Sequence, residues 1–137
     1  MSNDIEATTL VRRFYEQAWN LWDDAVVDDI LSTDFSFRGS LGDEVRGRDG
    51  WRAYRDKIRH AVPDFHNEIV ELVTSPGRAA ARLRYTGQQT GVLLGHQGHG
   101  QRIEYAGAAF FTCDNGQLGT AWVLGDLDSL RRQVAGT

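Results

Sequence analysis

The hydrophobic period changes near the middle of the 137-residue chain, and this change constrains the fold more than any other feature of the sequence. Up to about residue 62, apolar side chains recur every three or four positions, which is typical of amphipathic helices. Beyond that point the chain alternates apolar with polar residues and is rich in β-branched and aromatic side chains. We expect strands at 65–74, 78–90, 101–113 and 117–126. Helices followed by a run of antiparallel strands predict an α+β domain.

The first half of the chain is predicted to hold three helices. The first helix is expected at 5–22 and the second at 23–31, and a short strand should follow at 34–40. The third helix should begin after Asp49, a residue suited to the N-cap, and end before Pro63, which cannot continue a helix. A last helical turn is expected at 128–134.

The strands are separated by turn signals, of which Asp114-Asn115-Gly116 is the strongest because Asn and Gly tolerate positive φ. Long twisted strands that bury one face against a few helices tend to curl. We therefore predict a cone-shaped α+β barrel, in which a curved antiparallel sheet is roofed by three N-terminal helices and encloses one pocket. The length predicts one domain over residues 1–137.

Composition excludes several classes of partner. The net charge of −4 gives no basic face for nucleic acid. No stretch approaches the roughly 20 apolar residues of a membrane span, and the N-terminus lacks the pattern of a signal peptide, so we expect no membrane contact and a cytoplasmic protein. The single cysteine, Cys113, cannot form an internal disulfide and should be an inert packed thiol.

The histidines do not predict a metal site. His96 and His99 lie in a glycine-rich connector without a carboxylate or cysteine at ligand spacing, so a mobile loop at the pocket mouth suits them better. His66 opens a predicted strand and is a candidate for the pocket.

The segment 122–130, WVLGDLDSL, places two carboxylates in an apolar context. Asp126 shares a strand face with Trp122 and Leu124. If that face points inward, Asp126 lies at the pocket wall, where lost hydration raises its pKa and makes it a proton acceptor near neutral pH. Alternatively, Asp126 caps the last helical turn, a role that Asp128 fits equally well.

The order of elements and five motifs resemble the SnoaL-like polyketide cyclases and ester cyclases of the nuclear transport factor 2-like superfamily. The resemblance covers nearly the whole chain. The motifs are VRRFYEQAWN at 11–20, AVPDFH at 61–66, YTGQQTG at 85–91, the frame Gly95 to Ile103 and DNGQLGTAWVLGD at 114–126. In that family a Trp followed four residues later by an Asp marks the catalytic acid/base, which implies Asp126 here and leaves Asp128 as the cap.

The resemblance implies an enzyme that needs no cofactor. Asp126 would act as general acid/base in an intramolecular, aldol-type ring closure of a small apolar or aromatic carbonyl compound, such as an aromatic polyketide intermediate. It also implies a homo-oligomer, dimer or tetramer, formed through the outer face of the sheet. No metal is implied.

Six residues are candidates for substrate binding. Tyr15 and Trp19 lie one turn apart on the first helix, and Arg38 aligns with a pocket position of the family. Tyr105 is a possible cross-strand neighbour of Asp126, although a shift of one residue in register would put Glu104 there instead. With the strand histidine and the tryptophan of the motif, the set is Tyr15, Trp19, Arg38, His66, Tyr105 and Trp122.

Other activities on the same fold remain open at this level. Relatives isomerise ketosteroids, open epoxides or assist hydroxylation. An epoxide hydrolase needs a second carboxylate and an arginine beside Asp126, for which Glu104 and Arg82 are available. A non-catalytic small-molecule-binding module is a further alternative, and it has no need of an acidic residue with a displaced pKa.

Overall fold

The computed structural model describes residues 3–136, with side chains from Glu6 onward. Helical elements alternate with strands in the first half, and the second half is almost wholly strand. In chain order the elements are α1 (Asn3–Arg13), a π-helical turn (Phe14–Trp19), α2 (Asp24–Ile30), β1 (Leu31–Arg38), β2 (Glu44–Arg46), α3 (Gly47–Ala61), β3 (His66–Ser75), β4 (Arg78–Gln89), β5 (Val92–Leu93), β6 (His96–Gln97), β7 (Gln101–Asp114), β8 (Gln117–Gly125) and α4 (Leu127–Val134).

Six of the strands form one sheet in the order β2-β1-β8-β7-β4-β3, and β5 with β6 forms a small separate hairpin. The α+β architecture predicted from the sequence is confirmed. The sheet is mixed rather than wholly antiparallel, because β1 runs parallel to β8. This pair joins the first strand of the chain to the last, so the N-terminal half closes onto the strand that carries Trp122.

The helices bury the inner face of the sheet around an aromatic core. Phe14, on the π-helical turn, is at the centre of this core and is fully buried. Its ring makes edge or tilted contacts with five others, which brings the roof, β1 and β7 together; the five are Tyr15, Phe35, Phe37, Trp51 and Phe111. Such contacts add stability beyond the burial of apolar area.

The predicted β7–β8 hairpin is confirmed. Asn115 and Gly116 have φ of 52° and 76°, and Asp114 pairs with Gln117 on either side of them. Positive φ at both central residues is the mark of a type I′ turn, whose twist matches that of the strands. The sequence therefore fixes this turn through the two residue types that accept its backbone geometry.

Three local expectations need correction. α3 begins at Gly47, with Arg46 at the N-cap position, so Asp49 lies in the first turn instead of capping the helix. The short strands β2, β5 and β6 occur where no strand was expected, since two or three residues carry too little pattern to be recognised. The first helix also changes to π geometry at Phe14. Within residues 3–136, no helix is both long and apolar enough to span a membrane.

Candidate functional site

The interior holds a small chamber between the helices and the inner face of the sheet. Its volume is about 10 Å³, which is the room that one water molecule needs. Six of its ten lining residues are aromatic and none is charged. The lining residues are Tyr15, Trp19, Phe37, Ser40, Tyr54, Ile58, Phe65, Asn67, Tyr85 and Val123.

The four tyrosines of the sequence are all buried at or beside this chamber. They come from four elements: Tyr15 from the π-helical turn, Tyr54 from α3, Tyr85 from β4 and Tyr105 from β7. Tyr85 and Tyr105 are paired across the β4–β7 ladder, with their ring centroids 4.7 Å apart. The inward faces of two strands and two helical elements thus bring phenol groups to one place.

Three glycines make room for these rings. A Cβ at Gly107 would lie 2.5 Å from the ring and the hydroxyl of Tyr85. A Cβ at Gly39 would overlap the Tyr54 ring, and one at Gly125 would lie 3.1 Å from the Tyr105 ring. Contacts under 3.0 Å force the neighbours to shift, so any larger residue at position 39 or 107 would displace a tyrosine.

The hydroxyls of the cluster differ in their partners. The Tyr105 hydroxyl forms a hydrogen bond of 2.9 Å with the Ser40 hydroxyl. The hydroxyls of Tyr15 and Tyr54 are buried and have no partner with hydrogen-bonding geometry among the described residues. A buried polar group without a partner costs about 1–3 kcal/mol. An oxygen acceptor bound in the chamber would remove that cost.

Burial also fixes the ionisation of the cluster. It raises the pKa of Tyr54 to about 12, and the nearby polar groups of Leu41 and Ser40 limit that rise. It raises the pKa values of Tyr15 and Tyr105 still further, and it raises that of Tyr85 well above the ordinary tyrosine value. The four phenols therefore stay neutral at physiological pH and keep their O–H groups as donors.

The π-helical turn positions two of the lining residues. Tyr15 and Trp19 both lie on it, and the Asn20 N–H closes it by donating to the Tyr15 carbonyl at 3.0 Å. The side-chain amide of Asn20 then binds the backbone of Asn67 on β3. Single π-turns within helices are rare and occur frequently at functional sites.

The structure brings some of the predicted site residues to the chamber. Tyr15 and Trp19 lie in its wall. Tyr105 is buried behind that wall and reaches it through Ser40. The β7–β8 ladder ends at the pair Gly107 and Gly125, so neither Tyr105 nor Glu104 pairs with Asp126 in the sheet. The part these residues play in binding remains a prediction.

The placement predicted for Trp122 and Asp126 is wrong. Ala121 and Val123 are the inward residues of β8, whereas Trp122 points outward and is 46% exposed. Asp126 follows the end of β8, is exposed, and accepts a hydrogen bond of 3.1 Å from the Ser129 N–H as the N-cap of α4. The alternation along β8 was correctly recognised, but its faces were assigned the wrong way round.

The cap assignment is corrected by the same geometry. Asp128 was expected to cap α4, but it lies in the first turn of the helix and is exposed. It forms an ion pair with Arg132 one turn later. The strand ends one residue earlier than the sequence suggested, so the first carboxylate reaches the cap position.

Arg38 and His66 also lie outside the chamber, contrary to prediction. Arg38 is the partner of Trp122 in the parallel β1–β8 pair, and it stacks over the indole at 5.0 Å while donating to the Val123 carbonyl. His66 is exposed at the start of β3, and the next residue, Asn67, faces inward. In each case the neighbouring residue, Phe37 or Asn67, takes the inward position.

Asp126 lies in an open groove on the outer side of the sheet, with a volume of about 400 Å³. Arg82 and Glu104 share this groove, so the residues of the epoxide hydrolase alternative are assembled there. They are engaged in exposed ion pairs: Arg82 with Glu71 at 3.3 Å, and Glu104 with Arg84 at 4.0 Å. The groove lining also includes Glu68, Val70, Leu83, Tyr105, Ala106 and Ser129.

Sequence reasoning missed several residues of the chamber wall. Tyr54 lies within the predicted third helix and had no other signal, and Tyr85 was recognised only as part of a family motif. Ser40 and Asn67 carried no signal, because a serine after a strand and an asparagine within one are common in any surface loop or edge. The three glycines opposite the tyrosines were a signal that could have been used, since isolated glycines within strands mark close approach.

The histidines His96 and His99 are exposed on and beside the β5–β6 hairpin, away from the chamber wall. In the part of the chain that the structure describes, no three residues of metal-ligand type come together.

Comparison with known proteins places this geometry in a family. The family model of the SnoaL-like polyketide cyclases matches residues 9–134. No curated protein matches the chain in sequence.

Solved structures share the fold at low sequence identity. A SnoaL-like protein from Jannaschia sp. CCS1 superposes with a TM-score of 0.88 at 18% identity, over 98% of this chain and 94% of that one. TsrD from Streptomyces laurentii gives a TM-score of 0.83 at 26% identity, over 97% of each chain. AclR from Streptomyces galilaeus, described as a candidate hydroxylase, gives 0.81 at 22% identity, over 98% of this chain and 83% of that one. The chain therefore belongs to the SnoaL-like polyketide cyclase family.

Proposed function

We propose that this member of the family closes a ring in a small, uncharged, largely apolar carbonyl compound of the aromatic polyketide type, bound in the interior chamber. The observation that carries the proposal is the pair of buried hydroxyls of Tyr15 and Tyr54, which lack a partner within residues 3–136 and belong to a chamber walled by aromatic rings. A ligand carbonyl supplies the acceptor that both lack. Flat ring compounds pack well against such walls.

The chemistry suits neutral hydroxyls. In an aldol-type closure, the enol carbon of one carbonyl group attacks a second carbonyl carbon of the same molecule. A carbon–carbon bond forms, the second C=O becomes a single bond, and the proton of the enol O–H passes to the new alkoxide oxygen. The proton that leaves the enol is the one that the alkoxide takes up, so no proton enters or leaves the substrate. The site therefore needs groups that relay this proton and groups that donate hydrogen bonds. A tyrosine hydroxyl both donates and accepts, and in a dry site such donors strongly stabilise charge that develops on oxygen.

Enclosure of the substrate in the chamber contributes the rest of the rate enhancement. Holding a chain folded with its reacting carbons in contact converts the reaction into an oriented intramolecular step. In favourable cases this lowers the barrier by up to about 7–11 kcal/mol. The chamber walls are ladders and packed rings, which can hold a substrate in that shape.

A second candidate puts the chemistry in the outer groove, with Asp126 as the general acid/base that the family resemblance implies. Tyr105 favours it, since this residue belongs to the groove lining while its hydroxyl contacts Ser40 of the chamber wall. Asp126 would take a proton from a carbon between two carbonyls and return it to the alkoxide. Asp126 is exposed and its side chain is already engaged as the N-cap of α4, so we rank this arrangement second.

Turnover of an aromatic β-keto ester that carries a second carbonyl group separates the two arrangements. We expect Tyr54→Phe to lower kcat by about 10²–10³, as the loss of one oxyanion donor does elsewhere, without lowering the melting temperature. Tyr15→Phe should act in the same direction. Asp126→Asn keeps a capping side chain and should leave kcat within about threefold.

The contrary result, in which Asp126→Asn abolishes turnover and the tyrosine variants do not, would establish the groove arrangement. If neither substitution changes turnover, both arrangements are refuted. If the wild type has no turnover but binds the compound, the chain is a binding module.

We also propose that two copies associate through the outer face of the sheet. Phe110, Trp122 and Leu124 are about half exposed there, and the rings of Phe110 and Trp122 lie 6.1 Å apart, so they form one apolar patch. Leu124→Glu should convert the oligomer to a monomer in light-scattering measurements. A wild-type mass equal to one chain would refute this proposal.

A further inference from the structure

The chamber must enlarge to admit a ring compound, because about 10 Å³ holds a single water molecule. Most of its walls are held from both sides. β4, which carries Tyr85, lies between β7 and β3, and β8, which carries Val123, lies between β1 and β7. α3, which carries Tyr54, is tied to α2 by the Arg55–Asp24 ion pair at 2.7 Å. The π-helical turn receives one bond from α3, from Arg55 to the Ala18 carbonyl at 3.3 Å, and it is joined to β3 through the side chain of Asn20.

The hydrogen bonds of the π-helical turn have a close alternative. The Asn20 N–H donates to Tyr15, five residues back, at 3.0 Å. The next N–H, that of Leu21, donates to Gln17, four residues back as in an α-helix, at 3.2 Å. Transfer of the Asn20 bond from the Tyr15 carbonyl to that of Glu16, with the same shift of the other bonds within Phe14–Trp19, would restore α geometry. Since the two geometries differ in residues per turn, this transfer would turn Tyr15 and Trp19 about the helix axis and change their positions in the chamber wall.

A side-chain clasp holds the turn in its π form. The Asn20 amide donates through Nδ2 to the Asn67 carbonyl at 2.9 Å and accepts at Oδ1 from the Asn67 N–H at 2.9 Å. The Asn67 amide donates to the same Oδ1 at 3.1 Å. β3 is an edge strand, so its outer backbone groups have no strand neighbour, and Asn20 takes that place.

We propose that Asn20 and Asn67 are positioning residues which, through this clasp, set the rate at which the π-helical turn moves to admit a ring compound. Asn20 joins the two elements directly, since its N–H holds the Tyr15 carbonyl and its side chain holds Asn67. While the clasp is closed, Tyr15 and Trp19 stay in the chamber wall; when it opens, they turn aside together. The inference rests on the proposed function only in taking the chamber as the ligand site.

A second clasp of the same kind provides a matched control. Gln133 on α4 donates through Nε2 to the Glu104 carbonyl at 2.7 Å and accepts at Oε1 from the Glu104 N–H at 2.8 Å. It joins a helix to a strand through the same pair of backbone groups, but neither residue lines the chamber. Asn20→Ala and Gln133→Ala therefore remove equivalent bonds, one beside the chamber and one remote from it.

The test measures the binding kinetics of 2-naphthol by stopped-flow tryptophan fluorescence, which needs no turnover. We expect Asn20→Ala to raise the association and dissociation rate constants together by about tenfold, with the Kd changed by less than about threefold. Gln133→Ala should lower the melting temperature by a similar amount and leave both rate constants unchanged. Asn20→Asp, which keeps the acceptor oxygen, should give an intermediate rise.

Equal kinetic effects of the two alanine variants, or none, would overturn the proposal. If Asn20→Ala does not fold, the Asn20→Asp rate constants decide, and wild-type values there also overturn it. A failure of 2-naphthol to bind the wild type would overturn this inference and the chamber site together. Loss of turnover in Tyr54→Phe with unchanged kinetics in Asn20→Ala would leave the proposed function standing and remove only the clasp.

Discussion

The interior chamber and the outer groove lie on opposite sides of one sheet and use different polar groups. The chamber contains hydroxyls and amides and no charged side chain among its ten lining residues. The groove contains two arginines and three carboxylates, one of them Asp126. Tyr105 lies between them, because the residue belongs to the groove lining while its hydroxyl contacts Ser40 on the chamber side.

The two faces of the sheet carry different polar groups because one face is buried and the other is exposed to solvent. A carboxylate taken into an apolar interior needs a partner or must take up a proton, whereas a phenol remains neutral and keeps its donor. Outside, the ion pairs are exposed and each contributes at most about 1 kcal/mol. The dry side of this sheet is therefore suited to binding an oxygen atom, and the wet side to solubility or association.

The largest expected effect tests how tightly the chamber is packed. Gly107→Ala places a Cβ 2.5 Å from the Tyr85 ring, so we expect the free energy of unfolding to fall by about 1–3 kcal/mol in urea denaturation. Gly119→Ala is the control, because its Cβ would be in ordinary contact with Thr112, at 3.5 Å from the hydroxyl and 3.9 Å from the carbonyl oxygen. It should be neutral or stabilising by about 0.4–1 kcal/mol. Equal effects at the two glycines would show that the chamber wall is not packed as described.

On the groove side, the role of Asp126 as a helix cap predicts a smaller loss. Asp126→Ala should lower the free energy of unfolding by about 0.5–2 kcal/mol, because α4 loses its N-cap. Asp128→Ala, which removes only an exposed ion pair with Arg132, should cost about 0.3–0.5 kcal/mol. If Asp128→Ala lowers the free energy of unfolding more than Asp126→Ala does in denaturation experiments, Asp128 is the N-cap of α4 and Asp126 is not.

The smallest difference separates paired from unpaired hydroxyls within the chamber. Tyr105→Phe loses the bond to Ser40 and should reduce the free energy of unfolding by about 0.5–1.5 kcal/mol. Tyr15→Phe removes a hydroxyl without a partner in the described structure and should leave stability unchanged or raise it. A clear loss of stability in Tyr15→Phe would indicate a partner for that hydroxyl and weaken the proposed oxygen site.

Much of the fold could be predicted because its signals are local. The period change places the helices before the strands, and Asn115-Gly116 specifies a turn that few other residue pairs adopt. The parallel pairing of β1 with β8 could not be predicted, since it depends on contacts between residues about 85 positions apart in the chain, such as Phe37 and Ala121.

The candidate site was less predictable because alternation identifies two faces of a strand without saying which is inward. On β8 the larger side chains are outside: Trp122 is covered by Arg38 and Phe110 instead of by the core. The inward positions hold Leu118, Ala121 and Val123, all of them buried. The size and hydrophobicity of Trp122 and Leu124 therefore led to the prediction that their face of β8 points inward, which is wrong.

The tyrosine cluster shows a second limit. Each tyrosine has an ordinary position in its own element, and only the tertiary fold brings the four together. The Asp126 cap depends on the residue at which β8 ends, and strand ends are the least determined feature of a sequence pattern.

An alkaline titration followed by phenolate absorbance tests the central claim, that all four tyrosines are buried at or beside the chamber as neutral donors. Burial raises the folded-state pKa of each tyrosine above the ordinary value of 10.0, to about 12 for Tyr54. The neutral phenols therefore stabilise the fold fully below pH 10, and this stability is lost as the pH rises through the folded-state pKa values. We predict no phenolate signal in the folded protein near pH 10, and a single step for the four tyrosines that coincides with loss of far-ultraviolet circular dichroism. Ionisation of one or more tyrosines near pH 10 with the fold intact would contradict the account.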